Sequence, residues 1–372
     1  MQKWLLYSFM SKNLYFTPGP SEMHFSIAGH LKQALKDEVL HVSHRSKSFE
    51  KIYQETIAKL RLFLNIPEDF HIFFAFSANE IMERVALDLV DQKSCHMVSG
   101  KYSERFHQVA NYLGKKEVKV VKGKDDEAFD VHHLLMADNY DVITATVNDL
   151  SVGISTPLED IYELGKAFPE SLIILNTTSA FPYNVIDYSR IDSLFFDLHY
   201  GWGLPPGLAV WLVNDRCIKK AKALRPNFEL SGVNSLLNHY YKSKNNQIPI
   251  APNTFVIYLL DRILEEMLSV GFDVINRDTN YKAAVMYNLL DHHEHLKPFV
   301  KNNQYRSKHI ITAKTIMPSN ELFVYLAKKH MIVGTGYGEF KFKHLRIANY
   351  PLHSKEQFEM LADAIEAFYK NY

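Results

Sequence analysis

An α/β fold built on a mostly parallel sheet is predicted for this chain, and three observations predict it. Short apolar runs rich in β-branched residues alternate with helical patterns from about Ile72 to Ala223. Several of these runs end in polar clusters, which is how a buried parallel strand delivers side chains to a ligand at its carboxyl end. No Gly-x-Gly-x-x-Gly follows a strand, so a dinucleotide-binding variant of such a fold has little support.

The 372 residues, 47% of them hydrophobic, exceed what one compact core usually holds. Two domains are therefore expected, a large one over 14–258 and a small α+β one over 259–372, after a tail over 1–13. Formal net charge is zero, from 42 basic and 42 acidic residues, so no global field draws the protein to nucleic acid or to an anionic membrane. A small-molecule site or a protein partner is favoured. Cys95 and Cys217 are too few for a disulfide framework and fit a reducing compartment, so a cytoplasmic location is expected. Met1 to Met10 shows neither a long apolar core nor a small-residue cleavage site, and no apolar run reaches the ~20 residues of a membrane helix.

In chain order, Phe16-Thr17-Pro18-Gly19-Pro20-Ser21 reads as a turn cluster. Ser43-His44-Arg45-Ser46-Lys47 precedes a helix, with Ser46 or Ser48 as N-cap and Phe49, Tyr53, Ile57, Leu60 and Leu64 near helical spacing. His71 to Phe76 reads as a buried strand running into Ser77-Ala78-Asn79-Glu80. Ser77 and Glu80 have capping-box spacing, so Ser77 is expected to cap the Glu80 N–H and Glu80 to reach back to Ser77. A strand feeding a helix start presents free N–H groups at the positive dipole end, an arrangement that suits phosphate, although most capping boxes bind nothing.

Cys95 to Val98 is the next strand, and Gly100-Lys101-Tyr102-Ser103 opens the helix after it. Val118 to Val121 and Asp141 to Thr146 follow as strands, with a polar loop over 123–127 between them. The second ends in Thr146-Val147-Asn148-Asp149-Leu150-Ser151-Val152-Gly153. Pro157 starts a helix at the position where proline costs least. Leu172 to Leu175 ends in Asn176-Thr177-Thr178-Ser179, Leu194 to Leu198 ends in His199-Tyr200-Gly201, and Leu208 to Leu212 follows a Gly203-Leu204-Pro205-Pro206-Gly207 turn. Two polar strand tips and one tight turn thus outline a candidate pocket, with Asn176 at it.

Asn238 to Asn253 is largely polar and reads as an exposed excursion, and Phe255 to Leu268 as a helix linking the domains. Beyond Gly271 come a helix through Leu290, a strand over Ile310 to Thr312, a helix from Asn320 to Lys329, a strand over Leu345 to Ala348 and a C-terminal helix. Asp291-His292-His293-Glu294-His295 invites a metal reading, but it closes a helix without a separated partner ligand, so no metal is expected.

Together these motifs resemble the class V, fold-type I pyridoxal-phosphate (PLP) enzymes, specifically the phosphoserine aminotransferase branch. The match runs from Leu14 to Tyr369, most specifically at Ser43 to Lys47, Gly203 to Trp211 and Arg346 to Pro351. It implies the aspartate aminotransferase-like fold, with a large mostly parallel-sheet domain and a small C-terminal one, and a homodimer. It implies cofactor contacts from Ser77, Ala78, Asn79, Tyr102, Thr146, Asn176 and Ser179, with Asn253 and Thr254 serving the neighbouring subunit's cofactor. It also implies substrate contacts from His44, Arg45 and Arg346, the planar forks of the two arginines matching phosphate and carboxylate oxygens.

Two groups that define the reaction are replaced. The family's pyridine-binding Asp falls on Asn176 and its Schiff-base Lys on Tyr200, with His199 in place of the neighbouring Gln. Transamination needs a primary amine to hold the cofactor as an imine, and a phenol cannot form one. The leading reading is therefore a pseudoenzyme that keeps the fold and binds PLP, PMP or another small ligand, phosphorylated or amino-acid-like, noncovalently. The alternatives are an enzyme of altered chemistry using Tyr200 or His199 as acid or base, an active PLP-dependent aminotransferase, and a non-enzymatic dimerisation partner of an active paralogue.

Overall fold

The computed structural model describes residues 12–115, 117–123, 129, 139–226, 232–316 and 320–370, so most of the tail over 1–13 and of the loop over 123–127 lies outside the described residues. The chain opens with β1 (Leu14–Phe16), α1 (Ile27–Lys36) and α2 (Lys47–Leu64). Strands and helices then alternate through β2 (Phe70–Ala75), α3 (Ala78–Leu89), β3 (Lys93–Val98), α4 (Lys101–Tyr112), β4 (Glu117–Lys122) and β5 (Val142–Thr146). A hairpin of β6 (Asn148–Asp149) and β7 (Ile154–Ser155) leads to α5 (Leu158–Ala167), β8 (Leu172–Asn176), β9 (Ser193–Asp197), β10 (Ala209–Asn214), α6 (Asp215–Leu224) and α7 (Leu236–Ser243). The remainder is α8 (Thr254–Val270), α9 (Phe272–His292), β11 (Leu296–Pro298), β12 (Ile310–Thr315), α10 (Asn320–Lys328), β13 (Met331–Thr335), β14 (His344–Ala348) and α11 (Lys355–Lys370).

The larger sheet has seven strands in the order β2-β10-β9-β8-β5-β3-β4. It is parallel from β9 to β4, while β10 runs antiparallel to both its neighbours. Every residue of β8, β9 and β10 is buried, which is why these strands read as continuous apolar runs rather than alternating ones. Successive side chains of β9 go to opposite faces, Leu194 and Phe196 into one core and Phe195 into the other. Register places Thr146 directly beside Asn176, so two of the polar strand tips are neighbours.

The second sheet, β1-β13-β14-β12-β11, packs Ile311, Leu345 and Ile347 against Met286, Leu326, Phe358 and Leu361 of α9, α10 and α11. β1 belongs here although its residues were expected within the 14–258 unit: Leu14–Phe16 pairs parallel with Met331–Val333. Phe16 explains the placement, because its buried ring stacks on His353 at 4.5 Å and meets Phe358 edge-on at 5.5 Å. The boundary expected after residue 258 falls inside α8, an unbroken helix of 17 residues.

Asn238 to Asn253 is likewise not the exposed excursion its polarity suggests. Its first residues belong to α7, and His239 and Ile248 are buried, the His239 ring 5.6 Å from Phe73. Within the stretch Lys244 leans on an aromatic, 4.4 Å from the Tyr240 ring centre, and Lys222 of α6 reaches the same ring at 4.9 Å.

Candidate functional site

The carboxyl ends of β5, β8 and β9 bring Thr146, Asn176 and the Asp197–Tyr200 segment to one edge of the large sheet, and Tyr200 is the residue around which the rest close. Its side chain is buried, and its ring lies against Gly19 so tightly that a Cβ there would stand 2.2 Å from ring carbon Cε1. The turn cluster at Pro18–Ser21 is therefore packed onto the strand tip. Ser21 Oγ donates to the Tyr200 carbonyl at 2.8 Å, and the Tyr350 hydroxyl donates to the Pro18 carbonyl at 2.9 Å. The Tyr102 phenol neighbours that of Tyr200. Burial above all, then the neighbouring Tyr102 and Asp197, pushes the Tyr200 phenol far above its ordinary range, so it stays protonated. His199, with its ring 4.2 Å from that of Tyr200, is pushed down to about 4 by burial and is neutral near pH 7.

Tyr102 owes its position to the start of α4, which Asp149 holds. The fully buried Asp149 carboxylate accepts from the Ser103 N–H and Oγ–H through Oδ2, both at 2.9 Å, and from the Ser151 N–H and Oγ–H through Oδ1, at 3.0 and 2.5 Å. Gly100 makes the approach possible, since a Cβ there would meet Asp149 Cγ at 2.5 Å. Across from Tyr102 stand Tyr337, with ring centres 5.8 Å apart, and Arg346, whose guanidinium carbon is 5.7 Å from the Tyr337 ring centre. Arg346 Nε donates to the Thr335 carbonyl at 2.7 Å and Nη1 to the Leu150 carbonyl at 2.8 Å, so two of its nitrogens are committed to backbone.

Asn176 Oδ1 accepts from the Thr178 N–H at 3.1 Å, which leaves Nδ2 as the group able to face a ligand. Ser179 is spent on Asn148: its hydroxyl accepts from Asn148 Nδ2 at 2.6 Å and donates to the Asn148 carbonyl at 2.8 Å. Thr146 is buried beside them.

At the start of α3, Ser77 Oγ accepts from the Glu80 N–H at 3.3 Å, as the spacing predicts. The return half of the box is different. Glu80 Oε2 accepts from the Phe76 N–H at 2.8 Å, one residue earlier than Ser77, where the extended Ser77 backbone turns that donor toward the helix. Asn79 is exposed. The Ala78 N–H donates to Asp197 Oδ1 at 2.9 Å. Asp197, 8% exposed at the tip of β9, is the residue sequence reasoning missed; burial pushes its carboxyl up to about 6 against the opposing pull of the Ala78 N–H. The one signal for it was an acid closing the otherwise apolar run Leu194-Phe195-Phe196.

The other expected residues do not join the contacts described for Tyr200. His44 and Arg45 lie in the turn ahead of α2, capped by Ser46 through the Phe49 N–H, with Arg45 exposed. Asn253 is the N-cap of α8, its Oδ1 accepting from the Val256 N–H at 3.2 Å, and Thr254 is that helix's first residue.

Known proteins resemble this chain in sequence and fold. The aminotransferase class-V family profile matches residues 20–339. A phosphoserine aminotransferase of Cytophaga hutchinsonii superposes with a TM-score of 0.93 at 34% identity, covering 96% of this chain and 99% of that one. A phosphoserine aminotransferase of Halalkalibacterium halodurans is 22% identical over 98% of this chain and 100% of its own length. A PLP-bound phosphoserine aminotransferase from Trichomonas vaginalis, at 17% identity and a TM-score of 0.81, covers 95% of this chain and 100% of its own and shares the fold. Among the described residues, no helix is long and apolar enough to cross a membrane.

Proposed function

The chain belongs to the aminotransferase class-V family, with the fold of the fold-type I PLP-dependent transferases, and from that premise we propose that it is a phosphoserine aminotransferase-like member that binds a small molecule without catalysing transamination. One observation carries the reading: the side chain at the tip of β9, where the resemblance puts the imine-forming amine, is a buried phenol packed against Gly19 and kept protonated by its burial. A phenol can hydrogen-bond a ligand or hold a proton, but it cannot form an imine.

The residues present do not fit covalently held PLP. Tyr200 offers no amine, and Asn176 can hydrogen-bond a pyridine nitrogen without holding it protonated as a carboxylate would. The Ala78 N–H, a natural donor to a phosphate oxygen, already serves Asp197, which weighs equally against noncovalent PLP or PMP. What remains at the strand ends is a set of groups that bind without making bonds: the Tyr102 and Tyr337 rings, Asn176 Nδ2 and Arg346. These suit an amino-acid-like ligand. On this reading the working form is a homodimer, in which His44, Arg45, Asn253 and Thr254 face a neighbouring copy, because within one chain they stand outside the Tyr200 cluster.

The test is to incubate the purified chain with PLP, treat it with borohydride and map its peptides, alongside turnover of phosphoserine with a 2-oxo acid. The expected result is no imine absorption band, no pyridoxyl-lysine and no turnover above the uncatalysed rate. A borohydride-stable adduct on any lysine, with turnover, would overturn the proposal and make the chain an ordinary aminotransferase.

A further inference from the structure

The start of α3 has the geometry of an anion seat, and the chain fills that seat from within. Ser77 is extended ahead of a 12-residue helix, whose first turn aims backbone N–H groups at the end of β9 with the positive end of the helix dipole behind them. The Ala78 N–H meets Asp197 Oδ1 at 2.9 Å, a side chain that arrives from 119 residues further along the chain. The Glu80 N–H is taken by Ser77 Oγ, and the Phe76 N–H just ahead of the helix by Glu80 Oε2. Glu80 is itself held in place by Asn234, whose Nδ2 donates to Oε1. Two carboxylates therefore stand on this one turn.

The sheet explains how Asp197 fits. In the register of β10 with its two neighbours, Ala209 pairs with Asp197 on one side and with Ala75 on the other. Two alanines leave room for a carboxylate that is only 8% exposed. A carboxylate so far removed from water is costly unless it is hydrogen-bonded, and the Ala78 N–H is the backbone partner the fold supplies. A phosphate approaching the same N–H would have to displace Asp197 and come to rest beside two like charges, an arrangement that charged sites use to exclude the wrong ligand.

We propose that Asp197 is a built-in anion standing where a ligand phosphate would bind at the start of α3, so that the strand-end site takes ligands without a phosphate group and rejects phosphorylated ones. This rests on the preceding reading insofar as the strand ends are the ligand site, and it narrows the ligand to the unphosphorylated amino-acid class.

Three probes test it on the full chain by calorimetry and fluorescence titration: pyridoxal 5′-phosphate, pyridoxal, and inorganic phosphate. The wild type is expected to bind pyridoxal 5′-phosphate no more tightly than pyridoxal and to show no saturable binding of inorganic phosphate. Asp197→Ser, which frees the Ala78 N–H and removes the charge, is expected to bind pyridoxal 5′-phosphate about tenfold or more tightly than the wild type does, with pyridoxal unchanged. Asp197→Asn keeps an acceptor for Ala78 while removing the charge, and is expected to show a smaller gain of the same sign. A wild type that prefers the phosphorylated probe tenfold would overturn the proposal, as would folded variants that gain nothing. If neither variant folds, the wild type's own discrimination between the two pyridoxals decides. Failure here leaves the missing transamination untouched, because the phenol at 200 blocks an imine whatever binds Ala78; a lysine adduct would overturn that earlier reading whatever phosphate does.

Discussion

Asp149→Ala is expected to lower the free energy of unfolding by about 3–5 kcal/mol, more than the chain's typical point substitution, because it strands buried donors rather than merely deleting contacts. The carboxylate is fully buried and accepts four hydrogen bonds, two from Ser103 and two from Ser151. Ser103 is in the first turn of α4, and the same turn carries Tyr102, so the loss would spread to the Tyr102–Tyr200 pair. Asn at 149 would keep one acceptor oxygen but turn an amide toward one of the two serines, and roughly half of the loss is expected from it. Urea unfolding followed by circular dichroism measures the total, and hydrogen exchange at the Ser103 amide localises it. A change below about 1 kcal/mol for the alanine variant would mean that the four bonds are made to no net advantage.

The alternation of strands and helices was legible because strands buried on both faces cannot hide their composition: Leu172 to Leu175 and Leu208 to Leu212 are apolar at every position. The polar tips were legible for the complementary reason, since Asn176 ends the run from Leu172 and His199-Tyr200 follow the run from Leu194 to Leu198. What stayed hidden depended on partners far away in the chain. Asp197 looks like any acid at a strand end until β9 is placed beside the start of α3. Leu14–Phe16 is too short to read as a strand, and its pairing with Met331–Val333 spans nearly the whole chain. Position along the sequence also located Tyr102 and Tyr200 separately, but their proximity follows only from how α4 and β9 converge. Asn238 to Asn253 was misread because its polarity suggested solvation, whereas His239 and Ile248 are buried and Lys244 lies over the Tyr240 ring.

Acidification is expected to unfold the protein over a narrow range, and the sign follows from four of the buried histidines. His96 lies between the Ser94 and Thr144 hydroxyls, His309 stacks on Tyr183 at 4.3 Å, His353 stacks on Phe16, and His239 packs against Phe73 and Trp211. Burial pushes His96, His309 and His353 down to about 3 and His239 to about 4, from 6.5 in the unfolded chain. Because the folded values are depressed, the neutral rings contribute full stability above 6.5, and that contribution is lost as pH falls below it. Each ring costs about 1.4 kcal/mol per pH unit, so four together remove about 5 kcal/mol per unit, against a total stability of about 5–15 kcal/mol. Asp197 acts in the opposite sense: its carboxyl is raised to about 6 from 3.8, so its cost is present at neutral pH and relieved as pH falls through 6. One such group offsets no more than one of the four histidines. The urea midpoint should therefore be flat from about pH 8 to 7 and then fall steeply, with the fold lost near about pH 5. His239→Phe keeps a ring against Phe73 and Trp211 while removing one proton-binding group, so it should reduce the steepness by one proton's worth and leave the neutral plateau nearly unchanged. A midpoint that stays level down to about pH 5 would show that these rings are hydrated in solution, and that the packing around His96, His309 and His353 is looser than the folded geometry requires.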